Sequence, residues 1–125
     1  MPRTRTVVAL TCLVAVAGAA LTAPVLWLEL DEAAVPPASA LHGLPDDATV
    51  TGEDQGCGSG GCWLELTVDA PDGTSGTELA DAVAPGAEVC GVRSVVDLRR
   101  VCTWVLDADA STTTFGVSYR RFLDS

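Results

Sequence analysis

The chain contains no lysine, no asparagine and no isoleucine, and it has one histidine, His42. Seven arginines stand against seventeen acidic residues, giving a formal net charge of −10 and a pI near 4.2. A surface this acidic has little to offer a polyphosphate backbone, so nucleic acid is excluded as a partner. Without lysine, the Gly-rich stretch 56–61 cannot be a Walker loop, which requires Gly-Lys-Ser/Thr opening a helix. Without a histidine after position 42, no serine or threonine further along has the usual imidazole base. The joint loss of Lys, Asn and Ile beside abundant Ala, Val, Gly, Asp and Arg is what a GC-rich genome produces by codon choice. It reports coding bias and not function. At 125 residues, the chain has room for one small domain.

What is present begins with an apolar run. Arg3 and Arg5 precede the 22 uncharged residues 7–28, which as a helix, at about 1.5 Å per residue, extend roughly 33 Å and match the hydrocarbon core of a bilayer. A cleavable signal peptide has a shorter apolar region of about 7–15 residues, closed by a small-x-small site. Here Ala17-Gly18-Ala19 lies inside the run, Ala23 is followed by Pro24, and Ala38-Ser39-Ala40 comes well after it. The reading is therefore an uncleaved single-pass anchor, residues 1–30, with a cleaved and secreted form as the alternative. A buried core helix is disfavoured because a run apolar on all sides needs a larger protein around it. Pro24 is tolerable near the end of a membrane helix, and Trp27 stands where interfacial aromatics do. Cys12 is read as a lipid-facing or packing residue, since Ala9-Leu10-Thr11 makes a poor lipobox. Arginines before the run and only Glu29, Asp31 and Glu32 directly after it predict an internal N-terminus and an extracytoplasmic C-terminal part.

Residues 31–43 are rich in Ala, Pro and acids, with Pro36-Pro37 at the centre, and read as an extended linker. The remaining 82 residues, 44–125, form a core small enough to profit from covalent staples. Four cysteines lie there: Cys57, Cys62, Cys90 and Cys102. In an oxidising compartment they predict two disulfides, with three connectivities open. Cys57–Cys62 with Cys90–Cys102 is preferred, because glycines permit the tight turn the first bond closes and the second would join neighbouring strands. The spacings Cys-x4-Cys and Cys-x11-Cys lack the short knuckle of structural zinc. The Cys-x-x-Cys of thiol exchange is also missing.

Leu64, Leu66 and Val68 alternate with polar residues over 63–69, the pattern of a half-buried strand. Pro71-Asp72-Gly73 ends it. A short helix follows, capped by Ser75 or Thr77, with Glu78 near its positive end, Leu79 and Val83 facing the sheet, and Pro85-Gly86 as the stop. Segments 87–92, 99–106 and 112–122 read as strands, with a short extra strand conceivable at 48–51. The expected fold is α+β, an N-terminal transmembrane helix followed by about four strands and one short helix in the order β-α-β-β-β.

Few residues suggest chemistry. Asp107, Asp109 and Ser111 sit at alternate positions like calcium ligands, but the glycine and bidentate glutamate of such a loop are replaced by Thr112 and Ser118. A solvated hairpin turn explains them better. The adjacent acids Asp46/Asp47 and Glu53/Asp54 read as solvated charge, and His42 as a linker residue. Trp63, Trp104 and Tyr119 read as core or strand-pair aromatics. Arg99, Arg100, Arg120 and Arg121 are four of the five arginines after residue 43 and form a candidate interaction strip for carboxylates, phosphates or anionic lipid. The competing reading is ion pairing with Asp97 and Asp124. No catalytic residue, cofactor or metal ligand is indicated.

The run Cys-Gly-Ser-Gly-Gly-Cys-Trp at 57–63, then Thr77-Glu78-Leu79-Ala80 and Arg99-Arg100-Val101-Cys102, resembles small actinobacterial proteins of unassigned activity that carry an N-terminal membrane segment and are anchored or secreted. The resemblance spans most of 44–122 and strengthens the expectation of disulfides, but its motifs define a scaffold and carry no reaction. The function expected is a membrane-anchored extracytoplasmic binding or interaction module of the bacterial cell envelope. Its partners would be the membrane through its helix and an envelope protein or polymer, and it is not expected to be an enzyme. The alternatives are a secreted effector or inhibitor, and a small extracellular hydrolase using carboxylates.

Overall fold

A computed structural model describes residues 2–31, 33–59 and 61–121. Helix α1 (Pro2–Leu30) is followed by β1 (Thr49–Gly58), β2 (Gly61–Asp69), α2 (Gly76–Val83), β3 (Glu88–Val92), β4 (Arg100–Ala108) and β5 (Thr112–Arg120). The domain is α+β, with one antiparallel sheet in the order β1-β2-β5-β4-β3 and one short helix. It has five strands where about four were expected, because the short extra strand at 48–51 runs on to Gly58. Its sequence, Thr-Val-Thr-Gly-Glu-Asp-Gln-Gly-Cys-Gly, is poor in strand formers and lacks alternation. It pairs only with β2, and glycines and acids suit an edge that must not recruit another strand. Phe122, at the end of the expected last strand, lies outside the described residues.

Period-two alternation divides the sheet into two faces. Leu64, Leu66 and Val68 on β2 lie opposite Val117, Phe115 and Thr113 on β5, while Val101, Thr103 and Val105 on β4 lie opposite Tyr119, Val117 and Phe115. Leu66, Val68, Phe115, Val117 and Thr113 on this face are fully buried. Helix α2 packs on it through Leu79, Ala80 and Val83. The Ser75 hydroxyl caps the helix by accepting from Glu78 N at 3.1 Å, and Pro85 ends it as expected. The Thr113 hydroxyl donates to the Gly76 carbonyl, fastening the first turn of α2 to β5.

At about 1.5 Å per residue, the eight residues of α2 reach about 12 Å, whereas five strands spaced about 4.8 Å apart make a sheet roughly 19 Å wide. The expected linker covers what α2 leaves. Pro36, Ala40 and Leu41 are buried, together with Leu28 of α1, and residues Ala38–Ala40 form a 3-10 turn. Ala34, Pro36, Ala38, Ala40 and Leu41 of the expected linker are thus packed on the folded unit instead of lying in an extended tether. Composition hid this, because alanine and proline are as common in tethers as in close-fitting covers. Pro36-Pro37 stiffens the chain and lowers the entropy lost on laying it down.

The Arg121 guanidinium donates to the backbone carbonyls of Leu28 at 2.9 Å and Asp31 at 2.6 Å, and so caps the C-terminal end of α1 with positive charge. Residues 3–23 are all exposed, so α1 stands clear of the domain over most of its length. Its mean hydropathy reaches 2.2, long and apolar enough to cross a membrane or to serve as a signal sequence.

Candidate functional site

Both disulfides have the preferred connectivity. Cys57 faces Cys62 across the β1–β2 hairpin, and Cys90 faces Cys102 across β3–β4. Each pair has its Cα atoms 4.1 Å apart, close to the roughly 4.5 Å of non-hydrogen-bonded cross-strand neighbours, where side chains approach most nearly. Cys12 is free and exposed on α1. Within the Gly-rich hairpin, Gly60 lies outside the described residues.

Strand alternation splits the four arginines of the expected strip. Arg100 and Arg120 are cross-strand partners on the face away from the core. Arg99 and Arg121 turn towards the core side, where the Arg99 guanidinium stacks 4.7 Å from the centre of the Tyr119 ring and Arg121 holds α1. The sequence pairs therefore do not make one strip, because neighbours along a strand point to opposite faces. Arg120 pairs with Glu88 at 3.0 Å. Arg100 is exposed, and its side chain makes no hydrogen bond or ion pair among the described residues. The expected partner Asp124 lies outside them.

Asp97 organises the loop between β3 and β4. Its carboxylate accepts two hydrogen bonds from the Arg99 guanidinium, at 2.8 and 2.6 Å, and a third from Arg93 at 3.1 Å. These bonds, Arg99 foremost, outweigh the opposing effect of burial and hold its pKa down at about 2. The same contact raises the Arg99 pKa. The Ser94 hydroxyl accepts from Val96 N and Asp97 N at 3.3 and 3.0 Å, and Arg93 N donates to the Arg99 carbonyl at 3.0 Å. The polar groups are thus satisfied inward and the apolar ones face out: Val95 is 88% and Val96 75% exposed. This inverts the usual surface loop, and the mix of Arg, Ser and Asp with valines gave no periodic sign of it.

On the same face as Arg100 lie Trp63 and Trp104, which meet edge to face with ring centres 6.5 Å apart. Trp63 Nε1 donates to Glu65 at 2.9 Å. Each indole lies over a glycine on the adjoining strand, Trp63 over Gly56 and Trp104 over Gly116, and a Cβ at either position would enter the ring. The two tryptophans are therefore a strand-surface pair outside the main core, whereas Tyr119 is buried on the core side.

The remaining candidates are placed as follows. Asp109 accepts from Ser111 N at 2.9 Å and Thr112 N at 2.8 Å, which closes the β4–β5 hairpin and lowers its pKa. Asp46, Asp47, Glu53 and Asp54 are exposed. His42 stands at the edge of a shallow groove of about 140 Å³, lined by Ala40, Val89, Val92, Val101 and Thr103 among others and by no carboxylate. Glu88 Oε1 lies 3.4 Å from the sulfur of Cys90. Glu88, Cys90 and Cys102 offer three potential ligand atoms within 4.8 Å of one another, but both sulfurs are committed to the disulfide. No known family, curated protein or solved structure matches the chain.

Proposed function

We propose that the protein is a single-pass membrane protein whose disulfide-stapled domain is displayed outside the cytoplasm as a binding or interaction module of the bacterial envelope, with no chemistry of its own. The observation that carries this reading is the union of the end of α1 with the domain. Leu28 is 3% exposed, and its carbonyl is held by Arg121. Cleavage after Ala40 would remove Leu28, Pro36 and Ala40 from the core, while cleavage after Ala19 would leave an apolar stub on the mature protein. Retention of the helix keeps the fold whole. The disulfides support an oxidising compartment, and Arg3 and Arg5 before the apolar run support an internal N-terminus. The carboxylates with lowered pKa, Asp97 and Asp109, are each bound within their own loop, an arrangement that favours a structural role over acid–base catalysis.

The test is intact-mass analysis, with and without reduction and alkylation, of protein recovered separately from the membrane and the medium of the native host. Full-length protein in the membrane, with only Cys12 alkylated before reduction, is the expected result. A species in the medium beginning after Ala40 would replace the anchored module with a secreted effector.

A further inference from the structure

Three features converge at one end of the sheet. Helix α1 reaches the domain there, because Arg121, directly after β5, binds the carbonyls of Leu28 and Asp31. The loop between β3 and β4, residues 93–99, leaves the sheet at the same end: Arg100 at the start of β4 pairs with Arg120 at the end of β5, so the residues before Arg100 lie at the end of the sheet where α1 is held. The loop carries Val95 and Val96 outward, with Val92 and Leu98 also exposed, in a conformation fixed by the Asp97 and Ser94 hydrogen bonds. Two arginines stand at this end of the sheet, Arg100 at the start of β4, its side chain unpaired among the described residues, and Arg120 across from it on β5, whose guanidinium is shared with Glu88, in a chain whose net charge is −10.

We propose that the β3–β4 loop is a second membrane contact, in which Val95 and Val96 enter the interfacial region of the bilayer that α1 crosses while Arg100 and Arg120 engage anionic phospholipid headgroups. Outward valines on a preordered loop lose little entropy on insertion, and apolar burial combines with attraction of arginine to anionic lipid in interfacial binding. An acidic domain is repelled by an anionic surface in most orientations, so a local pair of arginines selects the one that lowers this end. The domain would then lie on the membrane in a fixed pose, presenting the β4–β5 hairpin and the β1–β2 hairpin tip at different heights. The inference rests on the reading of α1 as an anchor.

The experiment uses full-length protein carrying Cys12→Ala, with Val96→Cys labelled by an environment-sensitive nitrobenzoxadiazole fluorophore. It is reconstituted into phosphatidylcholine vesicles with or without phosphatidylglycerol. Ser111→Cys, in the hairpin at the opposite end, is the reference site. The expected result is blue-shifted emission and protection from aqueous iodide at position 96 but not 111. Protection should be stronger with phosphatidylglycerol, and Arg100→Gln/Arg120→Gln should weaken the contact by about 5-fold per arginine on anionic vesicles. Near-UV circular dichroism of Trp63 and Trp104 verifies folding of each variant. If the protein resists carbonate extraction yet position 96 is as quenchable as position 111, the loop contact is refuted while the anchor stands. If carbonate extracts the protein, both readings fall.

Discussion

Leu41→Ala tests whether the segment between helix and strands belongs to the fold. Leu41 is 7% exposed and packs with Leu28, Ala40 and the sheet core, although its position between Pro36-Pro37 and Gly43 looks like a tether. Truncating a buried leucine costs about 2–5 kcal/mol, and the edge position of Leu41 places it near 2–3 kcal/mol on that scale. With a urea dependence of about 1 kcal/mol per molar for so small a domain, the unfolding midpoint should fall by roughly 2–3 M. Detergent-solubilised protein with intact disulfides, followed by tryptophan fluorescence, gives the reading. Ser39→Ala, two residues away and exposed, should stay within about 0.5 kcal/mol of the parent. A Leu41→Ala midpoint equal to that of Ser39→Ala would show that the segment is a tether and that the domain begins after it.

Other outcomes follow from the sheet and its loops. Gly116→Ala should destabilise by about 1–3 kcal/mol through collision with Trp104, visible as a lost near-UV tryptophan signal, with a matching effect for Gly56→Ala at Trp63. Loop-closure entropy makes the Cys90–Cys102 bond, at a sequence separation of 12, worth about 3 kcal/mol and the Cys57–Cys62 bond about 2 kcal/mol. Double serine variants should therefore unfold in that order of severity. For Asp97, the folded pKa of about 2 lies below the ordinary 3.8, so the unfolded chain takes up the proton first. Its contribution is complete above the ordinary value and is lost as pH falls through 3.8 towards 2. In Asp97→Asn, equilibrium unfolding should show a shallower loss of stability across that window, and an unchanged slope would refute the assignment.

Strands with alternation were legible in the sequence: Leu64, Leu66 and Val68 announced β2, and Ser75 with Pro85 framed α2. The disulfides were legible as a preference among three connectivities, because glycines around Cys57 and Cys62 permit the tight turn that a local bond closes, and the structure has that pairing. Strand β1 was not, since an exposed edge has no buried face to impose a period. The cover formed by Pro36, Ala40 and Leu41 was invisible for a different reason, as its burial is created by the width of a sheet that α2 cannot span. The arginines illustrate the limit most clearly. Adjacency in sequence suggested a strip, while the pleat sends Arg99 to Tyr119 and Arg100 to the open face. The apolar exterior of the β3–β4 loop depends on Asp97 and Ser94 drawing the polar groups inward, a three-dimensional event with no periodic trace.

The most direct test of an anchored, outward-facing domain is labelling of Ser111→Cys, in the Cys12→Ala background, by a membrane-impermeant maleimide on intact native cells. The account predicts labelling without lysis, on full-length protein that remains with the membrane after carbonate washing. Labelling only after lysis would place the domain on the inner side, and labelled protein found free in the medium would remove the anchor.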